Sequence, residues 1–111
     1  MTTDMNNYKI KIHMEQEFAD GERDIIKQIT VVSLGWESNK LCVIFEGRKM
    51  TFEAGKTHAC AYSMPEGEFS LHITTDELSQ IGNEINIVYK ISDAGGNLMS
   101  KNKLKMEWNN L

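Results

Sequence analysis

Alternation dominates the chain. From Tyr8 to Glu15 apolar and polar residues take strict turns and place Ile10, Ile12 and Met14 on one face, the pattern of a half-buried strand. Asp20-Gly21 then predicts a two-residue type I′ turn, because both residues tolerate positive φ. Pairing Ala19 with Glu22 across that turn sets Ile12 opposite Ile29 and Ile10 opposite Val31, so the apolar faces coincide. Beyond Val31 the apolar phase moves to Val32, Leu34 and Trp36, which predicts a bulge or bend before Gly35.

The next segments, Leu41 to Phe45 and Arg48 to Phe52, flank Glu46-Gly47. A two-residue loop there pairs Val43 with Met50 and Leu41 with Phe52, and leaves Cys42 on the other face with Thr51. Gly55 marks a corner. A turn at Met64-Pro65-Glu66-Gly67 puts His58, Cys60 and Tyr62 on the face of Phe69, Leu71 and Ile73, with His72 outward beside Ala59 and Ala61. Thr74-Thr75-Asp76-Glu77 fits a capping box. With Leu78 and Ile81 three apart and Gly82 as a stop, one short helical turn is expected near residues 75–81. Glu84 to Ile91 alternates again, with Ile85, Ile87, Tyr89 and Ile91 on one face. A Gly95-Gly96 turn returns the chain, pairing Ile91 with Leu98, Tyr89 with Ser100, Ile87 with Asn102 and Ile85 with Leu104.

Successive hairpins without βαβ spacing predict an all-β antiparallel meander of about eight strands. Such a sheet must hide its edges, and closure into a barrel is the economical solution, with a β-sandwich as the alternative. A loose N-terminus over residues 1–7 precedes a single domain over residues 8–111. The 111-residue length suits one domain. A formal charge of −4, with the two signs interspersed, argues against a nucleic-acid footprint, which needs a clustered basic face. Lys101, Lys103 and Lys105 read as the outward face of a strand.

No apolar run approaches the ~18 residues needed to span a bilayer, and the N-terminus has no charged-then-apolar signal pattern. Cys42 and Cys60 lie outside any C-x-x-C spacing and read as reduced thiols, so the cytoplasm is the expected setting.

Candidate chemistry is thin. His58, Cys60 and His72 are suitable metal ligands, but His72 faces away from the other two, and a site needs donors converging on one point, so no metal is expected. Cys60 and His58 share a face about 7 Å apart, too far for a nucleophile–base pair. No catalytic residue and no cofactor are expected. The carboxylates from Glu15 to Asp24 read as a solvated turn.

The informative residues are polar side chains at inward positions: His58, Tyr62, Tyr89, Ser100 and Asn102. Burying such a group unpaired costs roughly 1–3 kcal/mol, so each must bond a neighbour, water or a ligand.

Four fragments together resemble the YwiB-like family of small bacterial proteins, whose domain has no known function. They are Phe52-Glu53-x-Gly55-Lys56-x-His58, Tyr62-x-x-Pro65-x-Gly67, Ile87-x-Tyr89 and Ser100-x-Asn102-x-Leu104. The resemblance covers most of the chain, best from Met50 onward. It implies a calycin- or lipocalin-like barrel and a bacterial, cytoplasmic setting, and it brings no catalytic assignment. Met64 departs from the small hydroxyl residue common there, and the stretch from Val32 to Met50 is shorter than in typical members.

Two functional readings follow. In the first, the barrel binds a small, mostly apolar ligand in its interior, anchored by His58, Tyr62, Tyr89, Ser100 and Asn102. In the second, it is a non-enzymatic structural or interaction module with a side-chain-filled core. That module would be a homodimer joined at unclosed edge strands or through Trp36 and Trp108.

Overall fold

The computed structural model describes residues 5–45 and 48–108, apart from the side chains of residues 62–64. Eight strands form one antiparallel sheet: β1 (Asn6–Phe18), β2 (Arg23–Glu37), β3 (Lys40–Phe45), β4 (Arg48–Phe52), β5 (Thr57–Met64), β6 (Gly67–Ile81), β7 (Glu84–Asp93) and β8 (Leu98–Trp108). Their spatial order is β4-β3-β2-β1-β8-β7-β6-β5. First and last strands therefore pair, while β4 and β5, consecutive in the chain, become the two margins. These margins come into contact without a ladder, which leaves a nearly closed barrel with one seam rather than two packed sheets. At the seam the Cys60 thiol donates to the Lys49 carbonyl at 3.4 Å.

Two hairpins have the register that alternation predicts. Leu41 pairs with Phe52 and Val43 with Met50, although the Glu46-Gly47 loop itself lies outside the described residues. His58 pairs with Ile73, Cys60 with Leu71 and Ala59 with His72.

The first hairpin differs. Gly21 N donates to Phe18 O at 2.9 Å and Phe18 N to Glu22 O at 2.8 Å, with Gly21 at φ 92°. This is a three-residue loop ending in a left-handed glycine, not a type I′ turn. Register moves by one, so Ile12 lies opposite Gln28 and Ile10 opposite Thr30. Pairing then runs unbroken to Leu34, without the bulge expected after Val31. One uninterrupted strand can bury only one phase. Val32 and Leu34 sit where the barrel is covered and are buried, which turns Ile25, Ile29 and Val31 outward.

The expected helical turn near residues 75–81 is strand. β6 continues through it, with Asp76 as an extra residue between the pairs Thr75–Tyr89 and Glu77–Val88. That bulge resets the alternation, so the inward position after Thr75 is Leu78, three residues on. Spacing of three is thus a bulge signature here. Gly82, at φ 59°, serves a hairpin turn into β7 and not a helix stop.

Between β7 and β8 the register moves by two. Tyr89 faces Asn102, Ile91 faces Ser100 and Ile85 faces Met106. Asp93 N donates to Asn97 O at 2.9 Å and Gly96 N to Asp93 O at 3.0 Å, closing a three-residue loop that moves the register by one. Met99, an extra residue between the pairs Ser92–Leu98 and Ile91–Ser100, moves it by one more. An even shift changes partners but not faces, so the inward set survives. At the N-terminus Asn6 and Asn7 already pair with Leu34 and Ser33.

The interior is packed with Ile10, Leu41, Phe52, Ile85, Ile87 and Met106, all essentially inaccessible. At one end Trp108 packs on Tyr8, with ring centroids 5.3 Å apart. β3 and β4 are the shortest strands, so β3 reaches only Ser33–Glu37 of β2.

Ser38, at φ 56° in the β2–β3 turn, is the one non-glycine among the described residues held at positive φ. Ser38→Gly is expected to stabilise the protein by about 0.5–1 kcal/mol, read from denaturant midpoints. Gly21→Ala should do the reverse by a similar amount.

Candidate functional site

Strand register lines up a polar row across five strands: Thr75 on β6, Tyr89 on β7, Asn102 on β8, Gln16 on β1 and Asp24 on β2. All lie in the inward phase. The Gln16 amide donates to Asn102 Oδ1 at 3.0 Å, and Asn102 Nδ2 donates to Ser100 Oγ at 3.1 Å. Asn102 and Ser100 are buried, so this chain of bonds answers the desolvation cost of both.

Tyr89 is held differently. Its ring meets Phe52 edge-on at 4.9 Å, and its hydroxyl reaches only the Met14 thioether, at 3.4 Å. Sulfur is a weak acceptor. Burial pushes the phenol pKa up to about 12, since phenolate would sit in an apolar surround. Beside it, the fully buried Thr75 Oγ1 has no hydrogen-bond partner among the described residues. Thr75 is held there by its backbone: its amide donates to Lys56 O at 3.1 Å and its carbonyl accepts from Gly55 N at 2.8 Å.

The structure thus brings Tyr89, Ser100 and Asn102 together. It does not bring His58 to them. His58 is on β5, where Nε2 lies 2.9 Å from Glu53 Oε1, and Ile73 and Ile91 stand on the two strands between it and Ser100. The Tyr62 side chain lies outside the described residues, although its backbone pairs with Phe69. Gln16 and Thr75 belong to the row and were not among the sequence candidates. Gln16 was legible, since it continues the phase of Ile10, Ile12 and Met14. Thr75 was hidden by its resemblance to a helix cap.

A concavity of 410 Å³ meets this row: Gln16, Tyr89 and Asn102 line it together with strand neighbours that include Glu15, Glu17, Val88, Lys101 and Lys103. Charges of both signs meet there: Arg23 lies 3.4 Å from Glu17, and Lys90 lies 3.7 Å from Asp76. The Lys101, Lys103 and Lys105 stripe is an exposed strand face, with Lys105 held by Glu107 at 2.9 Å and Glu84 at 3.4 Å. Burial raises the Cys60 thiol pKa, and Arg48 offsets only part of that.

Asn102→Ala strands the buried Ser100 hydroxyl and the Gln16 amide, and should cost about 1–3 kcal/mol in denaturant unfolding. Tyr89 gives a pH dependence. Its folded pKa lies above the unfolded value of 10.0, so its contribution is complete below pH 10 and is lost as pH rises toward and through about 12. Unfolding free energies of wild type and Tyr89→Phe, measured across that window, should therefore diverge, with the wild type falling faster by up to about 1.4 kcal/mol per pH unit.

Comparison with known proteins agrees with this geometry. The ywiB protein from Bacillus subtilis, known from a crystal structure, superposes with a TM-score of 0.57 at 17% sequence identity, over 96% of each chain. At that identity the likeness concerns the fold. No match is found among the curated proteins. Residues 15–106 match a family described as a domain of unknown function (DUF1934), which is most of the sequence, and the chain belongs to that family.

Proposed function

We propose that this chain is a non-enzymatic interaction module that works through its outer surface and sheet margins. The observation that carries this reading is the interior: Gln16, Asn102 and Ser100 bond one another, and Ile10, Leu41, Phe52, Ile85, Ile87 and Met106 fill the rest of the core. Small barrels commonly fill their lumen in this way. A non-catalytic role fits the raised thiol pKa of Cys60 and the distance of His58 from the polar row. Two buried thiols, Cys42 and Cys60, support a reducing, cytoplasmic setting. Of the two tryptophans, Trp108 packs against the core and on Tyr8, so a margin strand is a better contact than a tryptophan pair.

A second reading rests on one pair of residues. Thr75 Oγ1 is unpartnered, and its neighbour Tyr89 has only a thioether for its hydroxyl. A small, mostly apolar molecule with one polar group could satisfy both, in a calycin-like manner, with Asn102 and Ser100 at its side and His58 and Tyr62 further off.

Native mass spectrometry of freshly purified protein separates the two. The module reading expects the bare chain mass, alone or in multiples. A stoichiometric small molecule, lost in Thr75→Val and Tyr89→Phe variants, would replace it with the ligand reading.

A further inference from the structure

One flank of β2 is open. β1 pairs with it from Arg23 to Leu34, whereas β3 joins only from Ser33 to Glu37. Among the described residues no strand pairs with residues 23–32 on that side. Successive residues of an antiparallel strand send their main-chain groups to opposite neighbours. The Phe18 N to Glu22 O bond gives the even-numbered residues of β2 to β1. At the far end Glu37 and Lys40 flank a two-residue turn as a bonded pair, which gives the odd-numbered residues to the β3 side. The main-chain groups of Arg23, Ile25, Lys27, Ile29 and Val31 therefore point out of the sheet into the open flank.

The same residues carry the outward side chains. Ile25, Ile29 and Val31 are 61%, 65% and 62% exposed. Unmade backbone bonds and bare apolar side chains thus coincide along ten residues. Natural edges are normally guarded by bulges, prolines, shortness or charge. The unpaired run of β6, from Asp76 to Ile81, has such guards in its bulge and in Asp76 and Glu77. In β2 the run is long and unbulged, and Lys27 is the charge at its middle.

We infer that β2 is a strand-addition site for a second copy of this chain, joined β2 to β2 about a twofold axis through Gln28. This rests on the module reading above. Only an axis through a residue keeps odd-numbered residues opposite odd-numbered ones, as the main-chain bonds require. An axis at Lys27 sets two ammonium groups face to face, which disfavours it. An axis at Ile29 sets Ile25 against Ser33, which β3 already holds, and leaves one bonded pair fewer than an axis at Gln28, where only Arg23 meets Ser33. The axis at Gln28 opposes Ile25 to Val31 and Lys27 to Ile29, twice each, with no like charges paired. The two Gln28 amides then lie directly across from each other, each able to donate and accept. The contact is isologous and closes as a dimer rather than growing into a fibre.

Sedimentation of the full chain from micromolar to millimolar concentration tests this. Wild type should show a monomer–dimer equilibrium. Ile29→Lys, at an exposed position, should keep its thermal unfolding curve and weaken the dimer by about tenfold or more. Gln28→Cys should oxidise to a disulfide-linked dimer, because opposed residues that share no main-chain bond bring Cβ atoms within disulfide reach, whereas Ile25→Cys should not. A strict monomer at every concentration without Gln28→Cys cross-linking would overturn the inference. So would a dimer that Ile29→Lys leaves unchanged. Neither result touches the packed interior on which the module reading stands, which the mass measurement tests separately.

Discussion

A β-strand sends alternate side chains to opposite sides, and bending eight strands round on themselves makes one of those sides an interior that must be filled. Nearly everything in this protein follows from that coupling. Because the strands share one lumen, the phase of each is set by the part of it that is covered. β2 shows the consequence most clearly. Val32 and Leu34 lie under β1 and β3 and take the inward phase, and the remainder of the strand must follow. Three large apolar residues are left facing water as a result.

The order of the ring places its weak point. β1 and β8 pair over nine residues, so the first and last strands are tied to each other, and the opening falls between the shortest strand, β4, and β5. Side chains hold that seam, with the Cys60 thiol on the Lys49 carbonyl and Glu53 on His58. The short β3–β4 hairpin also leaves residues 23–32 of β2 without a second neighbour among the described residues. Local chain length thereby becomes an available surface.

Polar groups are handled in two ways. Inside, Gln16, Asn102 and Ser100 satisfy one another and make a specific contact between β1 and β8, the pair that closes the ring. On the same sheet, exposed charges of both signs pair between neighbouring strands at 3.4–3.7 Å, Arg23 with Glu17 and Lys90 with Asp76. Exposed ion pairs of this kind contribute little to stability. The inner bonds are the ones whose loss is felt, because the groups they join have no water to turn to.

Much of this was legible along the chain. The alternation at Tyr8–Glu15, Leu41–Phe52 and Glu84–Ile91 was enough for the all-β class, for the number of strands and for the inward facing of Tyr89, Ser100 and Asn102. Those facings survive even where the partners move, since the β7–β8 register shifts by two and faces repeat every two residues. Errors arose where one residue more or less reverses a strand. An Asp-Gly pair serves both a two-residue turn and the end of a three-residue loop, and only the packing of Val32 and Leu34 chooses between them. A bulge at Asp76 copies helical spacing, so Thr75 looked like a cap until β7 was seen beside it.

The sequence by itself determined the strand character and the two faces of each regular strand, because both are local properties of the pleat. Tertiary structure alone decided which face of β2 is inside, where the ring stays open, that His58 stands apart from the polar row, and which ten residues are open on one side. Each of these depends on contacts between segments far apart in the chain, and no local pattern encodes them.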